Sequence, residues 1–252
     1  MGQKVKKKRS FWSRLVDVLI ILLIIGLLAT AGWLLYREFF PNNTPVLKMQ
    51  VMEKTETGDE KVNWEKLRAV NPEVVGWLKI EGTNIDTPIV QTTDNDKYLY
   101  TSFDGESDER GVPFLDAAYQ WDPKSRNSVI YGHSTMRSKV HVMFDDLLFY
   151  KNDLSFVDQH HTITYNRPPE LGGDGTWEIV SILIEEADYD YRQMDFSDEE
   201  RFVDYYAGMK AKSIVETDAV VEPGDEILTL STCIFNVGLK DGRLAVIAKR
   251  VA

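Results

Sequence analysis

A single cysteine, Cys233, closes the run "EILTLSTC" in this 252-residue chain. A lone thiol is open to two readings, a small buried hydrophobe or a reactive group. To act as a nucleophile it needs neighbours that favour its thiolate and move protons, most often a histidine. Of the four histidines, His141 lies in "SKVHVMF" and His160 and His161 in "VDQHHTITYN", polar stretches where imidazoles face solvent. His133 differs. It follows the apolar run "SVIY" through Gly132, whose missing Cβ permits a tight turn, so its imidazole can project over a strand end. The third group is Arg243, ten residues after Cys233 across the loop "IFNVGLKDG". If that loop joins two antiparallel strands, Cys233 and Arg243 stand together at one end of a hairpin, where a guanidinium can hold a thiolate or an oxyanion. One cysteine and dispersed histidines do not supply a closely spaced ligand set, so no metal site is expected.

The elements that must position these groups are mostly strands. "VVGWLKI", "TPIVQ", "SVIYGHS", "TITYN", "WEIVSILIEEAD", "EILTLSTC" and "RLAVIAKRV" are short runs rich in β-branched and aromatic residues, separated by Gly, Pro, Asn and Asp clusters. That pattern predicts a mainly β barrel or sandwich. Two helices are expected. "NWEKLRAVN" has Asn63 as N-cap; "SDEERFVDYYAGMKAKSI" has a capping box of Ser197 and Glu200, with Phe202, Tyr205, Tyr206 and Met209 along one side. The second falls between two strands and is an insertion in the sheet. Along the cysteine strand, alternation places Leu228, Leu230 and Thr232 on a core face and Ile227, Thr229, Ser231 and Cys233 on the other.

The N-terminus sets the compartment. Lys4, Lys6, Lys7, Lys8, Arg9 and Arg14 precede an uncharged run from Val18 to Tyr36, long enough to cross a hydrocarbon core as a helix. A cleaved signal peptide would want a shorter apolar region and a small-residue cleavage site, which "TAGWLLYREFF" does not offer. The expected order is a basic cytoplasmic tail over residues 1–15 and a membrane helix over 16–37. An extracellular stalk over 38–61 and one folded domain over 62–252 follow. Residues 1–37 carry seven Lys or Arg against Asp17, so the net charge of −11 leaves about −17 on the remainder. A surface that acidic excludes a nucleic-acid partner.

These residues carry a resemblance. "TLSTC" with an arginine ten residues on, "YGH" upstream, "NPEVVGWLKIEGTNIDTPIVQTTDNDKYL" and "GVPFLD" resemble the class B sortases, membrane-anchored cysteine transpeptidases of Gram-positive bacteria, from about Val62 to the C-terminus. The helix after "DFSDEE" is similar to that class's insertion before the cysteine strand. The resemblance implies a closed β-barrel with a few helices, including N-terminal ones, and no cofactor. It implies that Cys233 attacks a threonine carbonyl of a sorting pentapeptide to form a thioester. His133 would serve as general acid and then base, and Arg243 would hold the peptide and the oxyanion. It also implies Asn95, Leu99 and Ser231 as substrate contacts. Its partners would be surface proteins bearing the sorting signal, with a cell-wall precursor amine, or a pilin lysine, as acceptor. Two stretches depart from the class pattern. Ser134 stands where Asn is common, in a longer connection to "MF", and "IFNVGLKDGR" lacks the acidic and aromatic residues often found after the cysteine. A papain-like protease would need a helix beginning at the nucleophile and a histidine downstream, and this chain has neither arrangement. A non-enzymatic, membrane-tethered binding module on the same barrel is the reading from another class.

Overall fold

The computed structural model describes residues 11–39, 44–56, 58, 60–134 and 144–252. The basic residues Lys4 to Arg9 and His141 lie outside them. The chain divides into two compact units, residues 1–41 and 42–252. The first contains helix α1 (Phe11–Phe39), 29 residues long, or about 43 Å at the α-helical rise, against about 30 Å for a hydrocarbon core. Its stretch Arg14–Leu35 is long and apolar enough to cross a membrane by length and composition. Leu19, Leu22, Leu23, Leu27 and Leu28 are all exposed, as they would be in a helix that lipid surrounds.

The second unit runs α2 (Thr44–Val51), β1 (Met52–Lys54), β2 (Glu60–Val62), α3 (Trp64–Val70), β3 (Val74–Lys79), β4 (Asp86–Val90), β5 (Phe114–Leu115) and β6 (Asn127–Tyr131). It continues with α4 (Phe149–Asn152), α5 (Phe156–Gln159), β7 (Thr162–Asn166), β8 (Thr176–Glu186), α6 (Glu199–Ala211), β9 (Ile227–Cys233) and β10 (Gly242–Arg250). Strands β3 to β10 close into an eight-stranded barrel in the order β10-β8-β7-β3-β4-β5-β6-β9. The β4–β5 and β6–β9 pairs are parallel and the rest antiparallel. The interior is filled by alternate residues such as Leu78, Ile89, Ile130, Trp177, Leu228, Leu230, Leu244 and Val246.

Three expectations need correction. Structure begins within the stretch expected to be a stalk: α2 and the β1–β2 hairpin bring Leu47, Val51 and Val62 against Leu67, Val74 and Trp77. Lys48 also bonds Asp86 at 2.6 Å. The Asn63 cap is as expected, its side chain accepting from Lys66 N–H at 2.9 Å. The α6 cap, however, is Asp198, which accepts from Arg201 N–H at 2.8 Å, while the Ser197 hydroxyl donates to Asp198. A carboxylate answers both the free N–H groups and the positive end of the helix dipole, so it displaces the hydroxyl. Finally, β9 is buried on both faces. Leu228 and Leu230 enter the barrel, and Ile227 lies in a second cluster outside it, where Phe202, Tyr206 and Met209 of α6 cover Val180, Leu183, Ala245 and Ile247.

Candidate active site

Strand register brings two of the three candidate residues together and sets the third just past the end of a neighbouring strand. Arg243, the second residue of β10, lies directly opposite Cys233, the last of β9. Opposed residues on antiparallel strands share a face with Cβ atoms about 5 Å apart. On the other side of β9 the parallel strand β6 places Tyr131 opposite Ser231. The ladder ends there, and Gly132 and then His133 continue the chain beyond it, past the end of β6. Gly132 fixes that step: its N–H donates to the Ser231 carbonyl at 3.2 Å and its carbonyl accepts from the Thr232 hydroxyl at 2.8 Å. A Cβ on Gly132 would meet the Phe144 ring at 2.6 Å, so only glycine lets the chain pass there.

His133 is half-buried, and its Nε2 lies 2.9 Å from the Leu99 carbonyl. A carbonyl only accepts, so Nε2 carries the hydrogen, and Nδ1 is the nitrogen through which the ring can give or take a second proton. Tyr100 stands beside the ring, centroids 6.4 Å apart. Cys233 is free and half-buried, as a nucleophile that must meet a polymer requires.

Arg243 is three-quarters buried, with 24% of its side chain exposed. Its Nη1 donates to the Asp241 carboxylate, with the Gly242 carbonyl at 3.1 Å. Burial works against its charge, but the hydrogen bond to Asp241 and the neighbouring Cys233 and Asp241 outweigh it. Its pKa therefore lies above the ordinary arginine value. The site holds a permanent cation next to sulfur.

The remaining predicted contacts are placed differently from one another. Leu99 meets the site through its backbone, as the acceptor for His133. Ser231 is 1% exposed, and its hydroxyl is 2.8 Å from that of Tyr191. Thr229, its companion on that face, is fully buried and bonds Asn127. Asn95 is exposed and accepts from the Ala117 N–H at 2.8 Å, joining two loops. His161 is exposed, whereas His160 stacks on Phe156 with centroids 4.1 Å apart and so serves packing. Among the described residues no group of three or more His, Cys, Asp or Glu could hold a metal ion.

Sequence reasoning missed Tyr191, Asp241 and Glu186. Burial holds the Tyr191 hydroxyl above the ordinary tyrosine pKa, against the pull of Ser231, Arg192 and Arg243, so it remains a neutral phenol beneath the site. Glu186 accepts from the backbone N–H groups of Lys240 and Asp241, each at 2.9 Å, and pins the end of the β9–β10 loop. Only Asp241 left a signal, an acidic residue two positions from Arg243 and therefore on the same side of an extended chain. A cavity of about 240 Å³ opens beside this loop, lined by Ile234, Phe235, Asn236 and Leu239. The larger cleft, about 670 Å³ between α6 and the start of β8, touches none of the three residues.

No family model matches the chain. Sortase B of Listeria monocytogenes is 30% identical over 241 residues, 91% of this chain and 94% of that protein. The X-ray structure of Clostridium perfringens sortase B superposes with a TM-score of 0.66 at 32% identity, covering 75% of this chain and all of that one. A Staphylococcus aureus sortase B–substrate complex gives 0.66 at 28% identity, over 75% of this chain and 84% of that one. With a relative matched along nine-tenths of both sequences and an eight-stranded barrel of the same architecture, the chain belongs to the class B sortases, a family of cysteine transpeptidases.

Proposed function

We propose that this enzyme cleaves a sorting-signal pentapeptide after threonine and transfers the released acyl group to an amine of a cell-wall precursor. The observation that carries the reading is the register that places Arg243 on β10 directly opposite Cys233, with His133 two residues past the end of β6, the strand on the other side of β9. The Cys233 thiolate adds to the threonine carbonyl carbon, and the carbonyl electron pair moves onto oxygen, where the Arg243 guanidinium offsets the developing charge. The tetrahedral species collapses by breaking the C–N bond, and His133 gives its proton to the departing amine. A thioester remains. The acceptor amine then attacks it, His133 takes the proton back, and the C–S bond breaks to restore the thiolate. One amide is exchanged for another with no oxidant and no water consumed. The bound substrate of the related Staphylococcus aureus structure supports a peptide as ligand. The apolar helix α1 supports a single-pass anchor with the basic tail in the cytoplasm and the barrel outside.

The test is mass spectrometry of the full-length enzyme in detergent. It is incubated with a pool of pentapeptides bearing threonine at the cleaved bond, and with either triglycine or a lysine ε-amine as acceptor. The expected result is a thioester adduct on Cys233, resolved faster by triglycine, and no adduct or turnover with Cys233→Ala. Half-exposed Cys233 leaves little cavity when truncated, so that variant keeps its fold. Near-normal turnover by it would sink the assignment, and faster resolution by lysine would make the acceptor a pilin side chain instead.

A further inference from the structure

The Arg243 guanidinium is used at one edge only. Its Nη1 faces the Asp241 carboxylate, the Asp241 carbonyl at 3.4 Å and the Gly242 carbonyl at 3.1 Å. Among the described residues nothing accepts from Nε or Nη2. Asp241 is itself fixed, because Glu186 accepts from its N–H at 2.9 Å and its carbonyl accepts from the Ala187 N–H at 2.9 Å. Gly242 also pairs with Glu186 in the β10–β8 ladder. The line of support runs from the rigid end of β8 through the last loop residue to the guanidinium. We infer that Asp241 is a positioning residue, which Glu186 locks to the barrel so that Asp241 holds the far edge of Arg243 and leaves the Nε–Nη2 edge open to the reacting carbonyl. This rests on the proposed role of Arg243.

Two arguments separate that task from stability and from simple charge. The Asp241 side chain is 62% exposed, and an ion pair so close to water adds little to folding. Charge alone would make Asp241 an inhibitor, since a carboxylate weakens the pull of Arg243 on an oxyanion. At an exposed carboxylate that effect is screened, whereas removing the anchor releases the torsions of a long side chain. Orientation therefore outweighs charge. A donor pair already aimed at the oxygen needs no rearrangement at the transition state.

The experiment measures kcat and KM of full-length Asp241→Ala, Asp241→Glu, Arg243→Ala and the Asp241→Ala/Arg243→Ala double variant, with the peptide that wild type turns over fastest. In parallel, NMR order parameters of the Arg243 Nε–Hε group are recorded without substrate. Asp241→Ala should lower kcat about tenfold, at the low end of what loss of a supporting partner costs. KM and the melting temperature should stay unchanged, and Asp241→Glu should recover most of the rate. The Arg243 side chain should be ordered in wild type and mobile in Asp241→Ala, and adding Asp241→Ala to Arg243→Ala should cause no further loss. Unchanged or raised kcat in Asp241→Ala, an additive double variant, or an Arg243 side chain that stays ordered would each overturn the inference. An Arg243→Ala enzyme as fast as wild type would instead sink the oxyanion role, and the order parameters would still report whether Asp241 fixes the side chain.

Discussion

Adding one methyl group at Gly132 should damage catalysis far more than its size implies. A Cβ there would lie 2.6 Å from Cδ2 and 2.7 Å from Cγ of Phe144, where ordinary contact begins near 3.4 Å, so the ring must retreat by about 0.8 Å. Phe144 is fully buried and cannot swing into solvent. Gly132 is not among the residues with positive φ, so the clash is the whole effect. Overpacking of this kind costs about 1–3 kcal/mol. The Phe144 N–H also donates to the His133 carbonyl at 3.1 Å, so a backbone shift at Phe144 is passed on to His133. A misplacement of about 1 Å at a reacting group costs on the order of 10²-fold in rate. Gly132→Ala should therefore unfold in urea with about 1–3 kcal/mol less stability and lose roughly 10²-fold in kcat with KM little changed. Adding Phe144→Leu should restore part of both by making room. A Gly132→Ala enzyme with wild-type urea midpoint and turnover would refute the idea that this close approach holds His133 in place.

Two further outcomes follow from other parts of the barrel. Glu226 is the carboxylate partner of fully buried Arg167, at 3.1 Å, and also bonds Lys124 at 2.7 Å; Glu226→Gln should cost about 3 kcal/mol in urea unfolding, because the guanidinium stays behind unpaired. Burial opposes ionisation of Glu226, but Lys124 and Arg167 outweigh it and hold its carboxyl below the usual range. Its contribution is thus present above the ordinary glutamate pKa and disappears as pH falls through the depressed one, so the stability gap between wild type and variant should close in acid. A gap that stays unchanged all the way down to acid unfolding would contradict this. Finally, a fragment starting at residue 44 should fold and turn over peptide, whereas one starting at 62 loses buried Leu47 and Val51, should be less stable by about 3 kcal/mol, and should melt at a lower temperature. Equal melting temperatures would mean that α2 and the hairpin do not belong to the domain.

The three candidate residues were legible because each sits beside a local signal: Cys233 at a strand end, His133 after a glycine, and Arg243 across one hairpin. What surrounds them was not. Tyr191 and Glu186 meet the site 40 and 55 residues away in sequence, through the Ser231 hydroxyl and the Asp241 N–H. No periodicity encodes such pairings. The alternation along β9 points to a single core face, but α6 and the segment before it lie over the outer face, where Ile227 packs and the buried hydroxyls of Thr229 and Ser231 are satisfied by Asn127 and Tyr191. Strand β5 is two residues long and left no pattern to read. The β1–β2 hairpin is built from "MEK" and "EKV", charged runs that look like linker until Val62 is seen against Leu67 and Trp77.

The parallel pairing of β6 with β9 has a consequence in time. The bond from the Thr232 hydroxyl to the Gly132 carbonyl joins residues 100 apart, and α6 with all of β7 and β8 lies in the intervening chain. Closing a loop of that length is entropically the most demanding step in the topology, and contacts so distant in sequence form late. Before it, the cysteine has its cation, which the adjoining β9–β10 hairpin supplies, but not the β6 side of the site. The thiol and its guanidinium therefore come together early, in one hairpin, and the β6 side is added only when the last seam of the barrel is sewn.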